Sequence, residues 1–529
     1  MILTTRRLFT AILFVALFVM TTREIADPDF WWHLRTGQYI VETRSIPHAD
    51  IFSHTNAGRP WVTHEWLSEV FIYALFALGS FPALILVFAA IITAAFAFAY
   101  ARSPGQPYAA AFALLLAALA TAPTWGVRPQ MLSLLLMSVF LYLLERSRGT
   151  CSCHAERSEA SRDTHNETPF GVAQGRLRSA QSDRWLWLLI PLMILWVNLH
   201  SGYALGLALI VVYLVGESVE QFLTQHAIRN TQYATRFTSH SPLVTLAFVF
   251  VACLLVVPLN PNGATMYIYP FETLTSRAMQ AYIQEWFSPD FHQIQFQPFA
   301  WLLLATLAAM GLSGRRVSLT QTLLLAGFGY AALRSARNIP IFALVAAPIL
   351  AEHLWSIVVE RGWVSTNLTN TCPGGRCQGK RMVRGMVIVN WLVLLLIVAA
   401  AVARVGMVVA NQPNVERAKF PAAAVDFLEK QKLPGALYNA YGWGGYLIWR
   451  LYPETRVFID GRADVYGDAF IEEVFLKAYR GGADWREPLE RYQVRVVLIE
   501  PDAPLAERLA REAGWRRIYE DKQAVVFGR

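Results

Sequence analysis

Long apolar runs recur through most of this chain, and they constrain its fold more than any other feature. The sequence has 529 residues, of which 55% are hydrophobic and 16% are charged, and its mean hydropathy is +0.35. A typical soluble protein has about 25% charged residues, whereas a run of about 20 apolar residues is long enough to cross a bilayer. The sequence therefore predicts a polytopic α-helical membrane protein.

About eleven membrane spans are predicted from these runs. The first, LFTAILFVALFVM, follows two arginines and has no small-residue cleavage site, so we interpret it as a retained anchor. The segment 65–79 is short and contains Glu65 and Glu69; we expect an interfacial helix there, with a span as the alternative. The remaining predicted spans are 81–101, 107–122, 130–145, 185–200, 203–222, 243–258, 298–312, 318–334, 339–357 and 385–409.

Basic residues determine the expected orientation. With a cytoplasmic N-terminus, Lys and Arg concentrate in cytoplasmic loops, including 149–184 and 360–384, as the positive-inside rule requires. The segment 149–184 is polar and aperiodic, and we expect a disordered insert. The formal charge of +8 is then no argument for nucleic-acid binding. We expect a multi-pass protein of the inner or plasma membrane, with a transmembrane domain over 1–410 and an extracytoplasmic domain over 411–529.

The unusual polar residues fall on the outer side in this topology. The first loop begins ADPDFWWHLRTGQYI and places Asp27 and Asp29 directly after the first span. Ionisable groups at the ends of membrane helices indicate function by default. Interfacial anchoring is the alternative for a single residue, but it does not explain carboxylates opposite arginines from separate helices. The other residues on this side include His33, His64, Glu65, Arg128, Asn198, His200, Glu285, Arg334 and Arg337.

Carboxylates opposite arginines at a membrane surface suit a lipid-linked phosphosugar. Arginine forks match phosphate oxygens. A carboxylate can accept a proton from an incoming hydroxyl or hold a divalent cation, and Trp and Tyr lie at the headgroup level. We therefore expect the lipid tail in the bilayer, the phosphate on the arginines and the sugar on the aqueous side.

Several motifs resemble a bacterial group of GT-C membrane glycosyltransferase-like proteins over nearly the whole chain apart from the two cytoplasmic loops. They are ADPDFWWHLRTGQYI, PWVTHEWLSEV, RPQMLSLLL, WVNLHSGY, EWFSPDF and YNAYGWGGYLIW with VFIDGRADVYG. The acidic first loop is also similar in placement to those of oligosaccharyltransferase catalytic subunits and protein mannosyltransferases. The resemblance implies transfer of a sugar, with inversion, from a polyprenyl-phosphate donor to an extracytoplasmic glycan, lipid or protein.

The resemblance also implies roles for individual residues. Asp27 would be the general base or a ligand of Mg or Mn, with Asp29 as its partner, although the Asp-Pro-Asp spacing leaves open which carboxylate is catalytic. Helix capping is the alternative for Asp27, because it precedes Pro28 at a predicted helix start. The leaving phosphate would be neutralised by Arg128, Arg334 or Arg337. The predicted substrate-binding residues are His33, His64, Glu65, Asn198, His200, Glu285, Asp460 and Arg462. For His33 and His64 a metal is a further possibility, and a plain interfacial position is the favoured alternative for each.

The region after residue 410 predicts a small α/β domain with a largely parallel sheet. ALYNAY, RVFIDG and VRVVLIE have the pattern of buried strands, and WRRIYEDKQAVVFGR that of a terminal hairpin. Asp460 lies near the end of the RVFIDG segment, and Arg462 and Asp464 follow it. They would contact the acceptor, dock the domain on the membrane part, or form an internal ion pair.

Two other functional classes are compatible with intramembrane charges. One is a transporter or flippase, but the sequence has no inverted repeat and no paired broken helices of the kind that mark many transporters. The other is a non-catalytic GT-C-like scaffold. A donor-turnover assay distinguishes these classes from an enzyme.

Overall fold

The computed structural model describes residues 3–104, 107–160, 184–229, 242–363 and 384–529. The predicted loop segments 161–183 and 364–383 lie outside the described residues. The membrane part contains α1 Thr5–Thr21, α2 Phe30–Thr43, α3 Trp66–Ala101, α4 Pro107–Thr121, α5 Pro129–Ala160, α6 Leu189–Leu199, α7 Tyr203–Arg229, α8 Pro242–Leu255, α9 Tyr269–Thr275, α10 Arg277–Tyr282, α11 Gln297–Leu312, α12 Leu319–Arg334, α13 Ile339–Glu360 and α14 Arg384–Lys419.

Each predicted span coincides with one of these helices, which confirms a multi-pass helical protein. In the described ranges, seven helices are long and apolar enough to cross a membrane. They are Trp66–Ala101, Pro107–Thr124, Pro129–Arg148, Tyr203–Leu223, Ile294–Leu312, Ala336–Glu360 and Gly385–Lys419. Two shorter apolar helices cover Arg184–Leu199 and Leu243–Leu259. The total of about eleven spans remains a prediction.

α3 is interrupted where the sequence predicts a change from an interfacial segment to a span. Gly79 and Ser80 have non-helical backbone angles, and Ser80 has a φ of 52°. Pro82 lies just beyond this break, after Phe81, and cannot donate a hydrogen bond to the preceding turn. The break separates a first segment, which begins at Trp66, from the apolar helix that continues to Ala101. α5 extends to Ala160, and so enters the segment expected to be disordered.

The C-terminal region, after α14, has α15 Ala422–Gln431, β1 Ala436–Asn439, α16 Gly444–Leu451, α17 Ala463–Phe470, α18 Leu476–Tyr479, α19 Arg486–Arg491, β2 Val494–Ile499, α20 Pro504–Arg511, β3 Arg516–Glu520 and β4 Val525–Gly528. Its described strands form one sheet in the order β1-β2-β4-β3. Only β1 and β2 are parallel; β4 is antiparallel to both β2 and β3. The terminal hairpin is confirmed, but the expectation of a largely parallel sheet is wrong.

The RVFIDG segment is not a strand of this sheet. Its backbone instead meets the side chain of Asn439, whose Oδ1 accepts the N–H of Phe458 at 2.9 Å and whose Nδ2 donates to the carbonyl of Ile459 at 2.8 Å. On its other side, Val457 forms an isolated parallel bridge with Ser53 of the first loop. The segment therefore lies between the sheet and the first loop, and it joins the two parts of the protein.

Candidate functional site

The Asp-Pro-Asp motif forms a turn immediately before α2. Asp27 Oδ1 accepts the backbone N–H of Asp29 at 2.9 Å, and α2 begins at Phe30. Asp29 occupies the N-cap position but its carboxylate makes no capping hydrogen bond; it accepts the indole N–H of Trp32 at 3.2 Å. One oxygen of Asp27 thus makes a local contact within the turn, as the capping alternative expects. The second oxygen is directed at Arg128.

Arg128 lies at the centre of three carboxylates. Its Nε is 3.0 Å from Asp27 Oδ2, its Nη2 is 3.4 Å from Asp29 Oδ2, and its Nη1 is 3.0 Å from Glu285 Oε2. The contact with Asp27 is an ion pair of poor hydrogen-bond geometry, because Nε makes no hydrogen bond there. The guanidinium stands where a divalent cation would have to lie between the two aspartates. The Asp27–Asp29 pair is therefore a poor fit to the predicted Mg or Mn ion.

The pKa of Asp29 is shifted in the opposite direction to that of Glu285. Burial, together with the neighbouring charge of Asp27, raises the pKa of Asp29 to about 7. Burial also acts to raise the pKa of Glu285, but Arg128 and Arg337 outweigh it and hold that pKa below its ordinary value. Near neutral pH the cluster thus contains an ionised Glu285 and an Asp29 that can either hold or accept a proton.

Arg337 reaches the cluster through Glu285. Its Nη1 is 3.7 Å from Glu285 Oε1, and its guanidinium carbon lies 4.2 Å from the ring centre of Trp286. Two hydrogen bonds hold the segments together: Ser335 Oγ donates to the carbonyl of Glu285 at 3.0 Å, and the N–H of Ala336 donates to the carbonyl of Phe287 at 2.9 Å.

Arg334 does not join this group, and its role in phosphate binding stays a prediction. It is the last residue of α12, its side chain is exposed, and it donates to Gln280 at 3.1 Å. The helix ends at Arg334 and Ser335 has an extended backbone, so the two arginines point to different surroundings although they are three positions apart.

A second group of ionisable residues is buried behind the aspartates. His33 Nδ1 lies 3.6 Å from an oxygen of Glu65 and 3.6 Å from an oxygen of Glu69. His64 Nε2 lies 3.5 Å from the other oxygen of Glu65. Burial lowers the pKa of His33 and lowers that of His64 to about 4, and it raises the pKa of Glu65 well above its ordinary value. The imidazoles are therefore neutral at pH 7.

His200 and Asn198 lie at the end of α6 with different surroundings. His200 lines the cavity described below, and its Nε2 is 4.0 Å from Glu65. The side chain of Asn198 accepts the indole N–H of Trp66 at 2.8 Å and donates to the carbonyl of Ile194 at 2.9 Å. Asn198 thus anchors the start of α3, and its contact with substrate stays a prediction.

The contacts of Asp460 and Arg462 are those expected for the docking and ion-pair alternatives. Arg462 donates to both oxygens of Asp460 at 2.7 Å and to Asp50 of the first loop at 2.8 Å, and its guanidinium stacks on Trp61. The side chains of Arg462, Asp460 and Asp50 are at most 1% exposed. Both residues are thus almost fully enclosed, and their contact with substrate stays a prediction.

A cavity of about 200 Å³ opens beside the arginines. Arg128, Arg337, His200 and Glu285 line one part of it. The rest of its wall is largely apolar and includes Met131, Leu134, Met137, Leu205, Trp286, Pro340 and Ile341. The cavity can accommodate an apolar chain whose charged end meets the guanidinium groups.

Three further residues at the site, Glu69, Tyr269 and Tyr441, were not singled out as site residues from the sequence. Glu69 follows Glu65 by four positions on a helix, a spacing that places both on one face and is visible in the sequence. Tyr269 stacks on His64 with ring centres 4.4 Å apart and donates to Asp464 at 3.1 Å. Tyr441 donates to the carbonyl of Gly461 at 3.3 Å. The C-terminal residues reach the site only through tertiary contacts.

The comparisons with known proteins concern the fold. No protein-family model matches the sequence, and a comparison with curated proteins also finds no match. The Archaeoglobus fulgidus oligosaccharyltransferase in its apo form aligns with a TM-score of 0.51 at 11% identity, over 94% of this chain and 70% of that one. The same enzyme tethered to an acceptor peptide aligns with a TM-score of 0.50 at 11% identity, over 94% and 69%.

ArnT from Cupriavidus metallidurans, bound to undecaprenyl phosphate, aligns over 98% of this chain and 97% of that one, with 14% identity and a TM-score of 0.45. The likeness to the oligosaccharyltransferase extends over most of this chain. The resemblance to GT-C membrane glycosyltransferases that the sequence motifs predict is confirmed at the level of the fold alone: the chain shares the overall fold of this oligosaccharyltransferase.

Proposed function

We propose that this protein is a membrane glycosyltransferase that moves a sugar from a polyprenyl-phosphate donor to an extracytoplasmic acceptor. One observation carries the proposal: Asp29, Arg128, Glu285 and Arg337 form a connected cluster, and three of them line an apolar cavity. A carboxylate able to take a proton and guanidinium groups able to hold a phosphate therefore lie beside a place for a lipid chain.

Arg337 is the better candidate for the donor phosphate. Arg128 contacts three carboxylates, whereas the only carboxylate contact of Arg337 among the described residues is with Glu285, at 3.7 Å. A guanidinium with unused donors can bind phosphate oxygens in a bidentate manner. Arg128 then holds the two aspartates in place and adds positive charge behind the phosphate.

Asp29 is the better candidate for the general base, because its pKa of about 7 matches the working range of a proton acceptor. In the proposed reaction the acceptor hydroxyl attacks the anomeric carbon while its proton passes to Asp29. The bond from that carbon to the phosphate oxygen breaks, and the electron pair stays on the polyprenyl phosphate, where Arg337 and Arg128 stabilise the charge. Attack from the opposite face inverts the anomeric centre.

The first loop and the C-terminal region share one side of the membrane in this proposal. They are bound to each other, since the N–H of His54 donates to the carbonyl of Val457 at 3.0 Å and Arg462 pairs with Asp50. The positive-inside rule makes that side extracytoplasmic. Cysteines introduced into a background without the five native cysteines test the orientation. The exposed positions Ala57 and Arg316 serve as the outer and inner probes.

An impermeant maleimide should label Ala57→Cys in intact cells and Arg316→Cys only after permeabilisation. The reverse pattern would contradict the orientation and place the proposed site in the cytoplasm.

A donor-turnover assay tests the activity itself. Purified protein in lipid is given polyprenyl-phosphate-linked sugars with a membrane extract as acceptor source, and released polyprenyl phosphate is measured. The proposal requires release that depends on the acceptor extract. Movement of the lipid across the bilayer without release would identify a flippase, and neither release nor movement would identify a scaffold.

A further inference from the structure

The His33–Glu65–Glu69 cluster lies where α2 touches the beginning of α3. His33 is on α2, Glu65 directly precedes α3, and Glu69 follows one turn later. The two helices approach very closely, since a Cβ at Gly37 would lie 2.0 Å from the carbonyl oxygen of Glu69. The glycine one turn after His33 thus brings the imidazole against both glutamates.

Polar atoms in this cluster lack partners. Neither carboxylate oxygen of Glu69, nor Nδ1 of His33, has a hydrogen-bond partner among the described residues. The side chains of Glu69 and His33 are 0% and 2% exposed. A buried carboxylate without a donor is strongly unfavourable unless it is protonated or neutralised by a cation.

The spacing of the three groups suits a bound cation. The separations of 3.6 Å from His33 Nδ1 to Glu65 and to Glu69 exceed hydrogen-bond length. They are close to the separation of about 3.3 Å between neighbouring ligands in a tetrahedral site with metal–ligand distances of about 2.0 Å. One atom from each of His33, Glu65 and Glu69 lies within 4.8 Å of the others.

The surrounding histidines support the same conclusion. His64 faces the carbonyl of Val62 with Nδ1 at 3.3 Å, which assigns the proton to Nδ1 and directs the lone pair of Nε2 at Glu65, 3.5 Å away. His200 Nδ1 accepts the N–H of Gly202 at 2.9 Å, which leaves its proton on Nε2, facing Glu65 at 4.0 Å. His64 therefore presents a lone pair to the Glu65 carboxylate, and His200 Nε2 faces the same carboxylate from beyond hydrogen-bond length.

We propose that His33 Nδ1, Glu65 and Glu69 bind a divalent transition-metal cation of the Zn²⁺ class. Mixed imidazole and carboxylate ligands suit such ions, and the two carboxylates balance the charge of a divalent cation. The metal links α2 to α3 and thereby holds α2, which begins directly after Asp29, in position. The inference concerns a site separate from the Arg128 cluster and does not rest on the proposed glycosyl transfer.

Metal analysis of the purified protein tests the proposal. Cells are grown with added Zn²⁺, and the full chain is purified through a tag without histidine, so that the tag contributes no metal. Dialysed protein should retain about one equivalent of metal by mass spectrometry. Glu69→Gln and His33→Gln should each lower the content about tenfold or more. His292→Gln, which changes an exposed histidine, should retain it.

Thermal unfolding gives a second measurement that needs only the wild-type protein. A chelator should lower the unfolding temperature of the wild type, and Zn²⁺ should restore it. Asp29→Asn should keep its metal even if it loses transfer, so failure of this site and failure of the proposed enzyme are distinguishable. A metal-free wild type whose unfolding temperature does not respond to Zn²⁺ would overturn the proposal. A Glu69→Gln variant that keeps its metal would also overturn it.

Discussion

Gly461 of the C-terminal region packs directly on the carboxylate of Asp29: a Cβ at position 461 would lie 1.9 Å from Asp29 Oδ1. Gly461 also accepts a hydrogen bond from Tyr441 and belongs to the segment that Arg462 anchors to the first loop. The C-terminal region therefore forms one wall of the site, and the position of Asp29 depends on it.

Gly461→Ala should reduce turnover with little effect on stability. The added methyl group meets the end of the Asp29 side chain, which can rotate away, so the reacting group moves and the fold does not. A displacement of about 1 Å can cost about 10²-fold in rate. Gly442→Ala is the matched control, because a Cβ there meets nothing within 4 Å. Equal turnover in the two variants would show that Gly461 does not position the base.

Asp29→Asn should reduce kcat by about 10²–10⁴-fold, the usual cost of losing a general base. The amide has almost the same shape but cannot accept the proton. Asp27→Asn should cost less, because an amide oxygen can still accept the N–H of Asp29 while only the ion pair with Arg128 is lost. Single-turnover kinetics of both variants decide between them. A dead Asp27→Asn with a nearly normal Asp29→Asn would assign the base to Asp27.

The rate should fall as the pH falls through about 7, where Asp29 becomes protonated. Below that value kcat/KM should decrease about tenfold per pH unit, as for a single essential base. Asp27, Arg128 and Glu285 surround the group. The measurement is a pH profile with donor saturation checked at each point; a rate independent of pH between 5 and 8 would contradict the assignment.

The contribution of Asp29 to stability changes with pH in the opposite direction to its contribution to the rate. Its pKa is raised on folding from 3.8 to about 7, so the folded state binds more protons in that interval. Its contribution to the free energy of unfolding is therefore present at low pH and is lost as the pH rises through about 7. Asp29→Asn should remove this pH dependence, which thermal unfolding at pH 5 and pH 8 measures.

Arg337→Gln should lower kcat/KM for the lipid-linked donor by about 10²–10³-fold, the range for loss of one group that stabilises developing charge. Arg334→Gln provides the control three positions earlier, since its side chain is exposed and pairs with Gln280. Donor turnover in lipid is the measurement. Equal losses in the two variants would remove Arg337 from phosphate binding.

Arg462→Gln should destabilise the protein by about 3–5 kcal/mol, because it leaves the buried carboxylates of Asp460 and Asp50 without their cation. Arg450→Gln removes ion pairs with the more exposed Asp426 and Glu429 and should cost at most about 1 kcal/mol. Intrinsic fluorescence on heating in detergent compares them. Similar unfolding temperatures would show that the Arg462 pair does not hold the domain.

The sequence by itself determined the helical membrane fold, because a run of apolar residues is a local property that a bilayer selects by length. The sequence also predicted that the aspartates and Arg128 lie on the same side of the membrane, because the basic residues of the loops set the orientation of the spans. The spacing of Glu65 and Glu69 on one helix face was likewise present in the sequence, although their pairing with His33 was not.

Tertiary structure decided which of these residues meet. Arg337 rather than Arg334 joins Glu285 because α12 ends between them and Ala336 bonds to Phe287, a contact between distant segments. RVFIDG has the pattern of a buried strand, yet its backbone bonds to the Asn439 side chain and to the first loop. A strand inside a sheet and a segment buried between two parts of a protein both require apolar residues. Only the groups that form hydrogen bonds with the backbone distinguish the two cases.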